Sequence, residues 1–324
     1  MSFPNSDERP SLLPKIFSTR YIENIFYNSM MTASAATRGP ETRLRHMKSR
    51  DISRSIRITP RDRHFAFSDV QERDWLGGDT LKSLIFNALS MTFPAGERFF
   101  ISSVKRFRPR ISGEPLDSQV GAFMAQEAMH TREHVRYNQQ METQGCRAAM
   151  LQRETQERFE WAQHRYSDLE QLAATCALEH FTAILADELL CNPDLLKEAR
   201  TEYRNIWLWH AIEEAEHKGV AFDVFQEVTN GRAYWVRVRT MTIVTVLFLA
   251  HMKRLFSVLL ADAGRGGSAA SWLRLNWLLW GNPGLFRKMM LKWAAYFRPG
   301  FHPWDRDNRA RMRAAENALA LELE

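Results

Sequence analysis

Two short segments of this chain repeat one pattern, a glutamate three residues ahead of a histidine: Glu127-Ala-Met-His130 and Glu214-Ala-Glu-His217. On a helix that spacing puts both side chains on one face, a turn apart, where they can ligate one metal ion. A single copy reads as a solvated charge pair, but two further carboxylates change the odds. Glu97, in FPAGERFF, precedes the first copy by 30 residues, and Glu179, in TCALEHFTAIL, precedes the second by 35. Glu179 sits among apolar and small residues, where an unpaired buried carboxylate would be costly. The order Glu, Glu-x-x-His, Glu, Glu-x-x-His is the arrangement by which four helices hold two iron or manganese ions, with one imidazole per metal. It assigns Glu97, Glu127 and His130 chiefly to one metal and Glu179, Glu214 and His217 to the other, with Glu127 and Glu214 bridging.

Further histidines extend the pattern. His210, Glu214 and His217 fall at about 0°, 40° and 340° around a helix of 3.6 residues per turn, a single inward stripe. His134 makes a comparable stripe with Glu127 and His130. Each of the two is a candidate for a third imidazole ligand or for a supporting place behind the ligands. Glu133, Glu213 and Glu216 point about 60° to 120° away from the stripe and read as supporting or surface residues. His180 and Cys176 read as structural.

These residues need helices to carry them, and the segments supply helix formers with Gly and Pro only as punctuation. Helices are expected over 94–108, 117–142, 167–190 and 197–228, with Pro94 at a helix start, Gly145 as a stop and Asn192-Pro193 as a break. No alternation of strands and helices appears, so the class is all-α. The organisation read from composition is an N-terminal extension at 1–58, a four-helix bundle at 59–230, a basic, Trp-rich helical region at 231–305 and an amphipathic tail at 306–324. The apolar run Met241–Ala250 would span only about 15 Å as a helix, half a bilayer core.

The whole chain has 324 residues, 45% hydrophobic and 25% charged, and a formal net charge of +6. That composition excludes wholesale disorder, collagen-like repeats and a polytopic membrane protein. Cys146, Cys176 and Cys191 are an odd set without a Cys-x-x-Cys pair, which argues against a disulfide framework and a zinc ribbon. The opening residues carry Asp7 and Glu8 and no early apolar run, so no secretory signal is expected. The expected location is the cytoplasm, with membrane association open through residues 231–305. Residues 231–304 hold eleven Lys/Arg against Asp262 alone, and six of the ten tryptophans. Such a region suits an interfacial hairpin, a lid over an anionic, greasy substrate, or a pair of helices capping the bundle. It lacks a nucleic-acid-binding module, so no nucleic acid partner is expected.

Five segments then resemble, in order, blocks of the predicted metal-dependent hydrolase family of the ferritin-like superfamily: NALSMTFPAGERFF, FMAQEAMHTREHVRYN, ALEHFTA, WHAIEEAEHKGVAFDVF and FRPGFHPW. The resemblance covers roughly residues 55–305 and implies a ferritin-like four-helix bundle with additional C-terminal helices. It matches the constellation at Glu97, Glu127, His130, Glu179, Glu214 and His217. The stripe at His210, Glu214 and His217 also resembles the His-rich di-iron N-oxygenases. The first functional expectation is a di-iron oxidoreductase that uses O2 and an electron donor to hydroxylate, desaturate or N-oxygenate a small, acyl or lipid-like substrate. The alternative keeps the two metals, iron first and manganese or zinc otherwise, for metal-dependent hydrolysis. A ferroxidase ranks third, and the reading leaves room for a homodimer.

Overall fold

The computed structural model describes residues 40–67, 72–282 and 284–323, so residues 1–39, most of the N-terminal extension, lie outside it. Four helices carry the predicted ligands: α2 (Thr80–Phe107), α3 (Leu116–Thr143), α5 (Asp168–Cys191) and α6 (Thr201–His217). Around them run α1 (Pro40–Ser55), α4 (Ala148–Arg165), α7 (Val220–Val228), α8 (Tyr234–Asp262), α9 (Ala269–Trp280), α10 (Leu285–Ala295) and α11 (Arg309–Leu323). Among the described residues no strand forms, only an isolated bridge between Leu76 and Ala199. The protein is all-α.

α2 packs along α3 and α5, and α6 packs along α5 and α3, which closes a four-helix bundle. α5 is also covered by α7, α8 and α10, so most of its faces are buried among the described residues. This explains its sequence: ALEHFTAIL is apolar or small on nearly every side because nearly every side is buried. Its start is fixed by a capping box, Ser167 accepting from the Glu170 N–H while the Glu170 carboxylate accepts from the Ser167 N–H.

Two helix limits differ from the sequence expectation. Pro94 does not start a helix; it lies inside α2, which begins fourteen residues earlier at Thr80 behind the N-cap Asp79. An interior proline removes one backbone hydrogen bond, here to the carbonyl of Ser90. That carbonyl instead accepts from Asn138 Nδ2 of α3 at 3.0 Å, so the bundle replaces what the helix lost. The expected helix over 197–228 is two helices, α6 and α7, broken at Lys218-Gly219.

The reason for the break lies in the distant block FRPGFHPW. Trp304 is buried against Gly219, where a Cβ would meet its ring at 2.9 Å and Ser53 Oγ at 2.6 Å. Lys218 Nζ lies 3.9 Å from the centre of the same ring. His302 and Ser53 converge on Asp223 of α7 at 3.0 and 2.6 Å.

The apolar run at 241–250 belongs to a 29-residue helix, α8, which is long and apolar enough to cross a membrane by length and composition. The ten-residue run is thus one part of a helix that extends well beyond it on both sides. The helix continues through His251, Lys253 and Arg254 because His251 turns inward to Thr155 and Arg254 pairs with Glu154. In this structure α8 packs on α5 and α2, with Met252, Leu255, Phe256 and Leu259 in the main core. Much of the regional positive charge is answered from other elements: Arg239 by Glu170, Arg254 by Glu154, Arg274 by Asp79, and Lys292 by Asp187 and Glu188.

Gly219→Ala should force the Ser53 and Trp304 contacts apart and cost about 1–3 kcal/mol. A urea midpoint equal to that of the wild type would refute this account of the α6–α7 break.

Candidate metal centre

Each predicted ligand projects into one buried space between the four bundle helices. α2 supplies Glu97; α3 supplies Glu127 and His130; α5 supplies Glu179; α6 supplies His210, Glu214 and His217, and all seven are buried. Phe93, Leu185 and Trp207 belong to one buried apolar cluster, with Phe93 against the His210 ring. Phe99, Phe123 and Cys176 belong to a second. The Phe123 ring meets the imidazole of His217 edge-on, with ring centres 4.9 Å apart.

The distances divide the cluster into two linked halves. His217 Nε2 lies 3.1 Å from Glu127 Oε1, 3.5 Å from Glu179 Oε2 and 3.5 Å from Glu214 Oε2. His130 Nδ1 lies 3.8 Å from both Glu127 Oε2 and Glu214 Oε1. His210 Nε2 lies 2.9 Å from Glu214 Oε1 and 4.0 Å from Glu97 Oε1. Three groups bring ligand atoms within 4.8 Å of one another: Glu97 with His130 and His210, Glu127 with Glu179 and His217, and Glu127 with His130 and Glu214. Glu127 and His130 each take part in two groups, while Glu214 reaches all three inward imidazoles.

Buried polar atoms are normally hydrogen-bonded, and these are not. Both carboxylate oxygens of Glu97, Glu127 and Glu179 lack a hydrogen-bond partner, as do Glu214 Oε2, His130 Nδ1 and His217 Nε2. A cation in their midst would satisfy them together, and carboxylates with imidazoles are donors that iron, manganese and zinc accept. The residues therefore fit a metal centre on their own chemistry.

Burial pushes the carboxyls of Glu97, Glu127 and Glu179 well above the usual range, and the negative charge of Glu214 adds to this at Glu97 and Glu127. Glu214 goes the other way: burial opposes its ionisation, but His217 and His210 hold it well below the usual range. Burial likewise opposes charge on His217, yet Glu214 and Glu179 raise it to about 9. Without a cation, protons fill the cluster in its place.

The groups behind the ligands were only partly legible in the sequence. Glu213, expected to be supporting or on the surface, is fully buried; its Oε2 accepts from His130 Nε2 at 3.1 Å, which leaves His130 Nδ1 facing inward. Gln126 accepts from His217 Nδ1 at 2.9 Å and donates to Glu216 Oε2 at 2.9 Å. The backbone N–H of Arg61 binds Glu213, its guanidinium binds Glu216, and the N–H of Phe65 binds Glu133. The irregular segment 58–67 is thus tied to the bundle by three buried carboxylates. Gln126, Glu213 and Glu216 share one sequence signal, a polar residue directly beside a ligand candidate. Arg61 has no such signal. His134 does not face the cluster; it stands behind His210 at 2.6 Å. His180 is buried against the Lys292 carbonyl, apart from the cluster.

A narrow apolar recess, with room for about one water molecule, opens beside His210 and Glu214. It is lined by Phe93, Leu185, Ala186, Leu189 and Trp207, among others. Phe93 and Ala186 border this recess, whereas Phe100, Phe123 and Ala183 do not.

The family model described as "Predicted metal-dependent hydrolase" matches residues 59–307. No curated protein and no solved structure matches the chain.

Because orphaned buried carboxyls are costly, Glu179→Leu should stabilise the metal-free protein by about 1–3 kcal/mol. A lower thermal midpoint for that variant in chelator would contradict this picture of the cluster.

Proposed function

We propose that this chain, a member of the predicted metal-dependent hydrolase family, holds two divalent metal ions in its buried glutamate and histidine cluster and uses them for hydrolysis. One observation carries the reading. The six residues Glu97, Glu127, His130, Glu179, Glu214 and His217 supply every orphaned polar atom of the cluster, from four helices, to one space. Glu97 and His130 hold one ion and Glu179 and His217 the other, with Glu127 and Glu214 between them. The carboxylate-rich donor set suits iron or manganese ahead of zinc.

Bound there, the metal pair supplies Lewis acidity toward a carbonyl or phosphoryl oxygen and activates water near neutral pH. The chain supplies the rest. Glu213 and Gln126 fix His130 and His217 so that their inward nitrogens are free to ligate. Phe93, Leu185, Ala186 and Leu189 form an apolar wall beside His210 and Glu214 that keeps bulk water away. Segment 58–67, held by Glu133, Glu213 and Glu216, closes the α3–α6 side.

The same donor set supports a second reading, an O2-dependent di-iron oxidoreductase. The apolar recess beside His210 and Glu214 favours it, because oxidation of an unactivated substrate needs a dry pocket. The two readings part on oxygen. Manganese-, zinc- or iron-loaded protein should cleave some member of a panel of aryl esters, amides and phosphoesters under anaerobic conditions, and chelation should stop it. O2 uptake by the ferrous protein with no anaerobic cleavage would overturn hydrolysis in favour of oxidation.

Glu127→Ala and Glu214→Ala should each abolish binding of the metal pair, measured by elemental analysis; retention of two ions would refute the ligand set. Protons held by Glu97, Glu127, Glu179 and His217 must leave when metal binds, so affinity should rise with pH and binding should release protons. Calorimetry in buffers of differing ionisation heat measures that release, and a pH-independent affinity would contradict it.

A further inference from the structure

The third inward imidazole, His210, is backed by a chain of hydrogen bonds that runs through the bundle in one direction only. It begins at Pro94. With no N–H at that position, the Ser90 carbonyl takes its hydrogen bond from Asn138 Nδ2 at 3.0 Å. The amide of Asn138 is thereby oriented, and its Oδ1 faces Ser90 Oγ at 2.8 Å. A carbonyl oxygen only accepts, so the Ser90 hydroxyl spends its single proton on Asn138.

Ser90 Oγ must then accept from His134 Nδ1, 2.9 Å away. With its proton on Nδ1, the neutral ring of His134 offers a lone pair at Nε2, which accepts from His210 Nδ1 at 2.6 Å. The relay ends at His210 Nδ1. The other nitrogen, Nε2, donates to Glu214 Oε1 at 2.9 Å when no metal is bound, lies 4.0 Å from Glu97 Oε1, and is the nitrogen that a metal ion would take from Glu214. Asn138, Ser90, His134 and His210 are all buried, so water does not offer these groups other partners. Each donor and acceptor along the path is fixed by the one before it.

We infer that Asn138, Ser90 and His134, set by Pro94, are positioning residues that hold the His210 proton on Nδ1 and make its Nε2 a third imidazole donor to the metal ion at Glu97 and His130. The inference rests on the metal centre proposed above and deepens it. It gives the two halves unequal donor sets, with two imidazoles beside Glu97 and one beside Glu179. It also states what reverses the relay. Without an acceptor at position 138, the Ser90 hydroxyl is free to donate to His134 Nδ1. His134 then carries its proton on Nε2 and donates to His210, whose own proton moves to Nε2 and blocks the metal.

Two measurements on the full-length chain test it. Long-range 1H–15N spectra of the metal-free protein report the tautomer of His134 directly. Cobalt(II) titration followed by visible absorbance reports the two metal equivalents. The wild type should show His134 protonated on Nδ1 and bind two cobalt ions. Asn138→Leu should shift the His134 proton to Nε2 and weaken one of the two equivalents about 10- to 100-fold. Ser90→Ala should weaken the same equivalent, and His210→Ala should do so at least as strongly. The inference is overturned if His134 of the wild type carries its proton on Nε2, or if His210→Ala titrates like the wild type. If the wild type takes up no cobalt while His134 shows the expected tautomer, the metal centre itself fails and the donor role of His210 falls with it, a result separable from the first two. The wild-type spectrum needs no substitution, so the test survives a variant that does not fold.

Discussion

Four carboxylates and three imidazoles buried in one apolar bundle are the constraint on which this protein turns. Like charges at this spacing in a low-dielectric interior repel one another strongly, and each unpaired oxygen has given up its water. Two solutions exist, protons or cations. The raised carboxyls of Glu97, Glu127 and Glu179 show the first, and the convergence of their unpartnered oxygens with His130 Nδ1 and His217 Nε2 prepares the second. A bundle built only for stability would fill these positions with Leu or Met. Placing them inside the core costs stability that the surrounding apolar layers must offset.

The supporting residues follow from the same constraint. An imidazole ligates through one nitrogen, and the other needs a partner that cannot release it. His130 has Glu213, His217 has Gln126, and His210 has His134. Two of these partners bind onward to the irregular segment 58–67 through Arg61 and Thr59. The segment is therefore part of the centre's scaffold, although it carries no ligand. Around this scaffold the C-terminal helices add cover. α8 and α10 bury α5, and the FRPGFHPW block closes on the residues that follow His217.

Much of the centre was legible in the sequence because its signals are local. The i, i+3 spacing of Glu and His, and a lone carboxylate in an apolar helix such as Glu179, depend only on helical periodicity. The same locality explains the errors. Pro94 reads as a helix start because prolines favour first turns; it sits mid-helix because Asn138, 44 positions further on, satisfies the carbonyl it strands. Residues 197–228 read as one helix because nothing local reveals that Trp304 needs the room at Gly219. The run at 241–250 reads as interrupted after Ala250 because the partners that let the helix continue through His251 and Arg254 lie on α4.

The all-α class, the clustered residue types and the helix faces they share can be read along the chain, since they follow from residue chemistry and a 3.6-residue period. Packing across the bundle settles which nitrogen of each histidine faces inward, which of His210 and His134 meets the cluster, and that Glu213 and Glu216 are buried supports. A helix face is set within a few residues, but a proton's place on an imidazole is set by whatever lies across the bundle, and those partners are 44 to 91 residues away along the chain.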